Sequence, residues 1–152
     1  MCTGNTCRSA MAEALARRAL EELFPERRDI EFASGGLAAL PGAEATPESV
    51  AALREKGVVL EGHRASLVTP GDIEQAALVL TMTSAHREAL LREVPEAAGK
   101  IFTLAEYAGS GSDIADPLGR GMEAYRTVAE ELQSLVCEAL RRFVAEGEQD
   151  AG

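Results

Sequence analysis

A cysteine and an arginine separated by five residues stand at the start of the sequence, in the segment CTGNTCRS. A loop that curls between Cys2 and Arg8 presents backbone N–H groups to an anion, and Gly4 and Asn5 tolerate the dihedral angles that such curling requires. The Arg8 guanidinium is planar and permanently charged, and it can donate two hydrogen bonds to two phosphoryl oxygens. The pattern predicts attack of a Cys2 thiolate on phosphorus. The residues expected to bind the substrate are Thr3, Gly4, Asn5, Thr6, Cys7, Arg8 and Ser9.

A helix is predicted directly after this loop. The segment SAMAEALARRALEELF carries apolar residues at helical spacing, and Ser9 has the side chain of an N-cap. The start of a helix favours an anion, and the same field favours the thiolate form of Cys2. The Ser9 hydroxyl can also donate a hydrogen bond to the sulfur. The glycine patterns of dinucleotide-binding and Walker loops are not present.

An acid for the leaving group is offered by the segment DIADPLGRG, which contains Asp113 and Asp116. Pro117 pushes Asp116 towards an extended backbone and makes a rigid corner in a loop rich in glycine and serine. Asp116 is therefore the predicted general acid. Asp-Pro is also common in ordinary turns, and for this segment alone that interpretation stays open.

Composition limits the class of protein. The chain of 152 residues is 46% apolar and is predicted to form one domain over residues 1–152. Its 15 basic and 25 acidic residues give a net charge of −10, which argues against nucleic acid or an anionic membrane as partner. No apolar run is long enough for a membrane span, and no secretion leader is recognised. Three cysteines, two of them in one loop, indicate a reducing cytoplasm rather than a disulfide framework.

Short apolar segments alternate with helical ones along the chain. Strands are predicted in IEFAS, AALVLTMT and KIFTL, and helices in TPESVAALREKG, in SAHREALLREV and in a long segment that starts near Met122. The alternation predicts an α/β fold with a parallel sheet.

The sequence resembles the low-molecular-weight protein tyrosine phosphatases and, within them, the bacterial protein-arginine phosphatases. The resemblance covers essentially the whole chain and is carried by CTGNTCRS, ATPESVAAL, LVLTMTSAH, IFTLAEYAGSGSDIADPLG and the final helix. It implies a three-layer α/β/α fold with a four-stranded parallel sheet in the order 2-1-3-4, and neither metal nor cofactor. In the family an apolar first strand precedes the cysteine, whereas only Met1 does so here. The residue before the cysteine is typically a valine in the family, and a valine codon read as a start would appear as Met. We therefore expect Met1 to be a start-site error and the protein to start several residues upstream.

The resemblance also assigns roles to residues. It makes Cys2 the nucleophile that becomes phosphocysteine, Arg8 the residue that holds the phosphoryl group, and Asp116 the general acid and then the general base. The expected supporting residues are Ser9, which stabilises the thiolate, Asn5, which shapes the loop, and Ser34, its partner.

The predicted substrate is phosphoarginine on proteins, because Thr6 matches the threonine of the arginine phosphatases. Phosphotyrosine is the alternative, and Leu118, where the family carries an aromatic residue, leaves the shape of the pocket open. Arsenate reduction is less expected, since TSAHREALLREVPEAAG offers no cysteine to carry electrons. A phosphate-binding module without turnover is the remaining alternative.

The two histidines and the two remaining cysteines lie outside the predicted catalytic set. His63 is expected to pack and form hydrogen bonds, and His86 to be a solvated residue on a helix. Cys7 is either the partner of Cys2 in a reversible disulfide or a small buried side chain. Cys137 is expected in the core.

Overall fold

A computed structural model of the protein describes residues 1–151. Its helices are α1 (Arg8–Leu23), α2 (Pro47–Arg54), α3 (Pro70–Gln75), α4 (Ser84–Glu93), α5 (Leu104–Tyr107) and α6 (Met122–Ala151), with a 3-10 helix at Pro95–Lys100. The strands are β1 (Val79–Thr81) and β2 (Ile101–Thr103). The predicted alternation of strands and helices after residue 76 is confirmed, and so is the helix that follows the cysteine loop.

The sheet has the predicted parallel arrangement. Strands β1 and β2 pair in parallel. On the other side of β1, the Met1 nitrogen donates to the Leu80 carbonyl at 3.0 Å and the Met82 nitrogen donates to the Met1 carbonyl at 2.9 Å. Cys2 forms a parallel bridge with Gly36, so the four segments follow the order 2-1-3-4. Within the described residues, however, the first two segments are bridges rather than full strands.

The predicted strand at residues 30–34 is not formed. The bridge to Cys2 is made by Gly36, and no ladder in the described part of the chain includes residues 30–34. Met1 and Cys2 supply the only described backbone between this segment and β1, and of these two residues it is Cys2 that pairs, with residues 35–37. Residues 30–35 and 78–80 instead line a groove of about 830 Å³, together with residues of α1 and α6. Within residues 1–151, no other segment pairs with residues 30–34 as a ladder.

Two apolar clusters cover the two faces of the sheet. Alternate residues of a strand point to opposite faces. Val79 and Ile101 pack into one cluster with Leu90 of α4, whereas Leu80 and Phe102 pack against the other cluster, between the sheet and the helices α1 and α6. This arrangement makes the three layers that the α/β fold requires.

The helices α1 and α6 build the larger cluster. The stripe predicted on α1 is buried, and α6 buries a matching stripe; the buried residues are Met11, Leu15, Ala19, Tyr125, Val128, Leu132, Val136 and Leu140. Among the described residues, no helix is both long and apolar enough to cross a membrane.

Candidate active site

The cysteine loop lies between the sheet and α1. Cys2 and Arg8 are both buried, and the Cys2 Sγ lies 2.8 Å from the Ser9 Oγ. The helix begins at Arg8, with Cys7 at the N-cap position and no side-chain capping bond. Ser9 is therefore not the predicted N-cap: its hydroxyl faces the cysteine sulfur instead of the helix backbone. A hydroxyl at this distance can donate a hydrogen bond to a thiolate.

Asn5 ties the loop to three other segments. It is fully buried and has a positive φ of 56°, which asparagine tolerates better than most residues. Its Nδ2 donates to the hydroxyls of Ser9 and Ser34, both at 2.9 Å, and its Oδ1 accepts from the Ser66 nitrogen at 2.9 Å. The His63 Nε2 lies 2.7 Å from the Asn5 carbonyl oxygen, so the hydrogen bond expected of His63 is present. Each of these bonds opposes a change in the curvature of the loop.

Asp116 is the carboxylate that reaches the arginine. Its Oδ2 lies 3.7 Å from the Arg8 Nη2, and its Oδ1 accepts from the Leu118 nitrogen at 3.1 Å. The Arg8 Nη1 donates to the Ile114 carbonyl at 2.8 Å, which fixes the same loop against the guanidinium. The Asp116 side chain is 52% exposed, so it is accessible to water and to a substrate.

Asp113 has a different partner. Its Oδ1 accepts from the backbone nitrogen of Ser84 at 3.0 Å and from the Ser84 hydroxyl at 3.1 Å. Ser84 is the first residue of α4, so this carboxylate joins the acid-bearing loop to the start of a helix. Of the two aspartates that the sequence suggested as the acid, Asp116 lies beside Arg8 and Asp113 bonds to Ser84.

The Thr6–Cys7 side of the loop is held by α2 and α6. The Thr6 carbonyl accepts from the Thr46 nitrogen at 3.0 Å and from the Ser49 hydroxyl at 3.3 Å. The Cys7 Sγ lies 3.4 Å from the Tyr125 hydroxyl and 3.6 Å from the Thr46 hydroxyl. Burial, together with the hydrogen bond to Cys7, raises the pKa of Tyr125 to about 12, so its hydroxyl stays protonated near neutral pH. Cys7 is buried with a free thiol, and its reversible disulfide with Cys2 stays a prediction.

His86 is not the solvated residue that the sequence predicted. It is only 7% exposed, and its Nε2 lies 2.9 Å from the Thr3 Oγ1. The prediction of a solvated residue failed because it used the helical pattern of the segment alone. The informative signal is position: Thr83 caps α4 and follows β1, so residue 86 lies in the first helical turn after a strand. In parallel sheets the loops that follow strands gather at the same edge, where ligands bind.

The described residues contain no group of three histidine, cysteine or acidic side chains arranged to hold a metal ion. The chemistry available at the site is that of a thiol, a guanidinium, a carboxylate and several hydroxyls.

Residues 1–149 match the family described as low molecular weight phosphotyrosine protein phosphatase. The chain is 40% identical over 144 residues to a protein-arginine-phosphatase of Bacillus subtilis, covering 94% of this chain and 93% of that protein. It is 35% identical over 136 residues to the low molecular weight protein-tyrosine-phosphatase PtpB of Staphylococcus haemolyticus, covering 90% of this chain and 91% of that protein.

A solved structure shows the same fold. It is the YwlE arginine phosphatase, in a cysteine-to-serine mutant with a phosphorylated active-site serine. The two chains superpose with a TM-score of 0.86 at 38% identity, over 93% of this chain and 91% of that one. The chain belongs to the low molecular weight phosphotyrosine protein phosphatase family, whose members are cysteine-dependent phosphatases.

Proposed function

We propose that this protein hydrolyses phosphoarginine on proteins through a phosphocysteine intermediate at Cys2. The observation that carries the proposal is the convergence of three groups: the Cys2 sulfur beside the Ser9 hydroxyl, the Arg8 guanidinium, and the Asp116 carboxylate 3.7 Å from that guanidinium. A nucleophile, an anion-binding cation and an acid are the parts that phosphoryl transfer to a cysteine requires.

In the first step, the Cys2 thiolate attacks phosphorus and an S–P bond forms as the P–N bond to the substrate arginine breaks. Asp116 gives its proton to the leaving guanidine nitrogen. Arg8 and the backbone N–H groups of the loop hold the phosphoryl oxygens, where negative charge is concentrated in the transition state. The product is the unmodified arginine side chain and a phosphorylated Cys2.

In the second step, water attacks the phosphocysteine. The Asp116 carboxylate takes a proton from this water, the S–P bond breaks, and phosphate leaves together with a regenerated thiolate. The Ser9 hydroxyl stabilises the thiolate in both steps, because it is close enough to donate a hydrogen bond to the sulfur. Asn5 and Ser34 keep the Ser9 hydroxyl and the loop in position.

The preference for phosphoarginine rests on Thr6 and on the likeness to arginine phosphatases. Two hydrogen bonds to the Thr6 carbonyl fix the backbone of this residue, so its small polar side chain has a defined place beside the anion loop. A hydroxyl there can orient a guanidinium or the attacking water, whereas an aliphatic side chain offers apolar surface suited to a phenol. The protein to which the chain is 40% identical is named a protein-arginine-phosphatase.

The proposal includes a cytoplasmic location. Cys2 and Cys7 are free thiols, and a catalytic thiolate persists in a reducing compartment. The proposed partners are phosphorylated proteins.

The test is a comparison of kcat/KM on two peptides of the same flanking sequence, one carrying phosphoarginine and the other phosphotyrosine. We expect the larger value on phosphoarginine, and no turnover of either substrate by Cys2→Ser, because the serine hydroxyl ionises far less readily than a thiol. A larger value on phosphotyrosine assigns the chain to the tyrosine-specific enzymes. Tight phosphate binding without turnover of either substrate indicates a binding module and contradicts the proposal.

A further inference from the structure

A histidine that none of the proposed catalytic steps uses contacts the anion loop. His86 lies in the first turn of α4, and its backbone nitrogen donates to the Thr83 hydroxyl at 3.1 Å, which fixes the turn that carries it. Its Nε2 lies 2.9 Å from the Oγ1 of Thr3, the residue directly after the nucleophile. The ring is buried although its parent helix starts at the surface.

The ring has only one polar partner in the described part of the chain. Its Nδ1 is buried and unpartnered, so the hydrogen bond at Nε2 is the polar contact that orients it. A buried N–H donor without a partner is more costly than a buried lone pair. The favoured tautomer therefore carries its hydrogen on Nε2 and donates to the Thr3 oxygen. In that tautomer the Thr3 hydroxyl keeps its own hydrogen for a second acceptor.

Burial keeps the His86 ring neutral. Burial, and then the positive charge of Arg8, lower the pKa of His86 from its ordinary value of 6.5, while Asp113 and Asp116 act in the opposite direction. At neutral pH the ring is thus a hydrogen-bonding group rather than a cation that competes with Arg8 for the substrate.

Thr3 is held from two sides. Its carbonyl accepts from the Ala38 nitrogen at 3.0 Å, and its hydroxyl meets His86. Gly36 packs so closely that a Cβ added there would lie 2.3 Å from the Thr3 carbonyl oxygen. The side chain itself is exposed, and among the described residues the bond to His86 is its only hydrogen bond.

We propose that His86 is a positioning residue: it holds Thr3 through Nε2 and thereby fixes the direction of the backbone N–H groups at the Cys2 end of the anion loop. The inference rests on the proposed function, because it assigns that loop to phosphoryl binding. The first turn of α4 therefore contacts both the anion loop, through His86 and Thr3, and the loop that carries Asp116, through Ser84 and Asp113.

Two amide substitutions separate the hydrogen bond from the mere filling of space. The amide nitrogen of glutamine reaches the position of Nε2, whereas that of asparagine reaches the position of Nδ1. His86→Gln should therefore keep the bond to Thr3, and His86→Asn should lose it. The readouts are the inhibition constant of inorganic phosphate and the kcat/KM on an aryl phosphate.

We expect His86→Asn to weaken phosphate binding about 3- to 10-fold, the effect of one lost hydrogen bond, and His86→Gln to stay within about twofold of the wild type. The unfolding temperature of each variant shows whether it is folded. Equal losses in both variants, or no loss in either, would overturn the proposal.

Thr3→Val tests the same bond from an exposed position, where folding is not at risk. Thr3→Val should weaken phosphate binding as much as His86→Asn does. The double variant that combines the two should bind phosphate no more weakly than either single variant, because both substitutions remove the same hydrogen bond. Additive losses would show that His86 acts by another route. Wild-type turnover is measured first, so that failure of the proposed function appears as an inactive wild type and failure of this inference appears only among the variants.

Discussion

Asp116 and Asp113 lie in one loop but have different partners, and this difference predicts which of them acts on the leaving group. Asp116→Asn should slow hydrolysis of aryl phosphates with poor leaving groups about 10²- to 10⁴-fold, and that of activated esters much less, because only a poor leaving group needs the proton. The effect on phosphoarginine should be milder, since nitrogen is protonated more readily than a phenolic oxygen. The measurement is kcat/KM across a series of leaving groups.

Asp113→Asn is the matched control for this series. Its carboxylate bonds to Ser84 rather than lying beside Arg8, so we expect a smaller loss that does not depend on the leaving group. A larger loss in Asp113→Asn than in Asp116→Asn would show that the acid has been assigned to the wrong aspartate.

Thr6 is the residue on which substrate choice depends. Thr6→Ile removes a hydroxyl and adds apolar surface, while the hydrogen bonds to the Thr6 carbonyl and the Arg8 guanidinium are unchanged. The ratio of kcat/KM on phosphotyrosine to that on phosphoarginine should rise about 10-fold or more. Both substrates must be measured on both proteins, and a ratio that stays constant would remove Thr6 as the selector.

At the scale of elements, the bridge between Gly36 and Cys2 fixes the start of the loop. A methyl group on Gly36 would meet the Thr3 carbonyl oxygen at 2.3 Å and the Ala39 Cβ at 3.0 Å, so the two backbones must separate. Gly36→Ala should destabilise the fold by about 1–3 kcal/mol and weaken phosphate binding. Chemical unfolding and phosphate inhibition measure the two effects.

Gly99→Ala is the control for this change, because an added Cβ at residue 99 meets nothing within 4 Å and the backbone φ of that residue is not positive. It should leave stability unchanged or slightly raised, through the lower entropy of the unfolded chain. Equal effects of the two substitutions would mean that the close approach at Gly36 does not constrain the loop.

Local patterns account for the elements that the sequence predicted well. The apolar stripe of α1, Thr46-Pro47 at the start of α2 and Gly57 after its end are signals contained within a few residues, and each of these helices forms where expected. Residues 30–34 include Ile30 and Phe32 in the alternating positions of a strand but have no described backbone beside them to complete a ladder. Strand pairing depends on backbone from distant parts of the sequence, and the composition of a short segment does not show whether that backbone is present.

The site shows the same division between local and distant information. The spacing of Cys2 and Arg8 places both in one loop, and a local pattern therefore identifies them. The hydrogen bond between Thr3 and His86 joins residues 83 positions apart. The different roles of Asp113 and Asp116 become visible only through the hydrogen bond of Asp113 to Ser84, a residue of another element. Such contacts follow from the packing of α4 on the sheet. The position of residue 86 just after a strand indicates that it lies near the site, but not which residue it contacts.

At the scale of the whole molecule, burial of His86 makes stability depend on pH. Because the pKa of His86 is lowered on folding, the unfolded chain binds more protons than the folded one below about pH 6.5, so the free energy of unfolding falls as the pH falls through this range. The slope cannot exceed about 1.4 kcal/mol per pH unit for one proton. His86→Gln should reduce this slope, measured by chemical unfolding between pH 5 and 8 (about the range in which histidine titrates). An identical slope in both proteins would contradict the assignment.

The covalent step at Cys2 is the claim on which the rest depends, and it is tested most directly by trapping the phosphoryl group. Cys2→Ser, incubated with a phosphoarginine-bearing protein, should accept the phosphoryl group slowly and retain it, because a phosphate ester of serine has a poorer leaving group than a phosphocysteine. Peptide mass spectrometry should then locate one phosphoryl group at residue 2. Transfer to a different residue, or turnover by Cys2→Ser at the wild-type rate, would contradict a phosphocysteine mechanism.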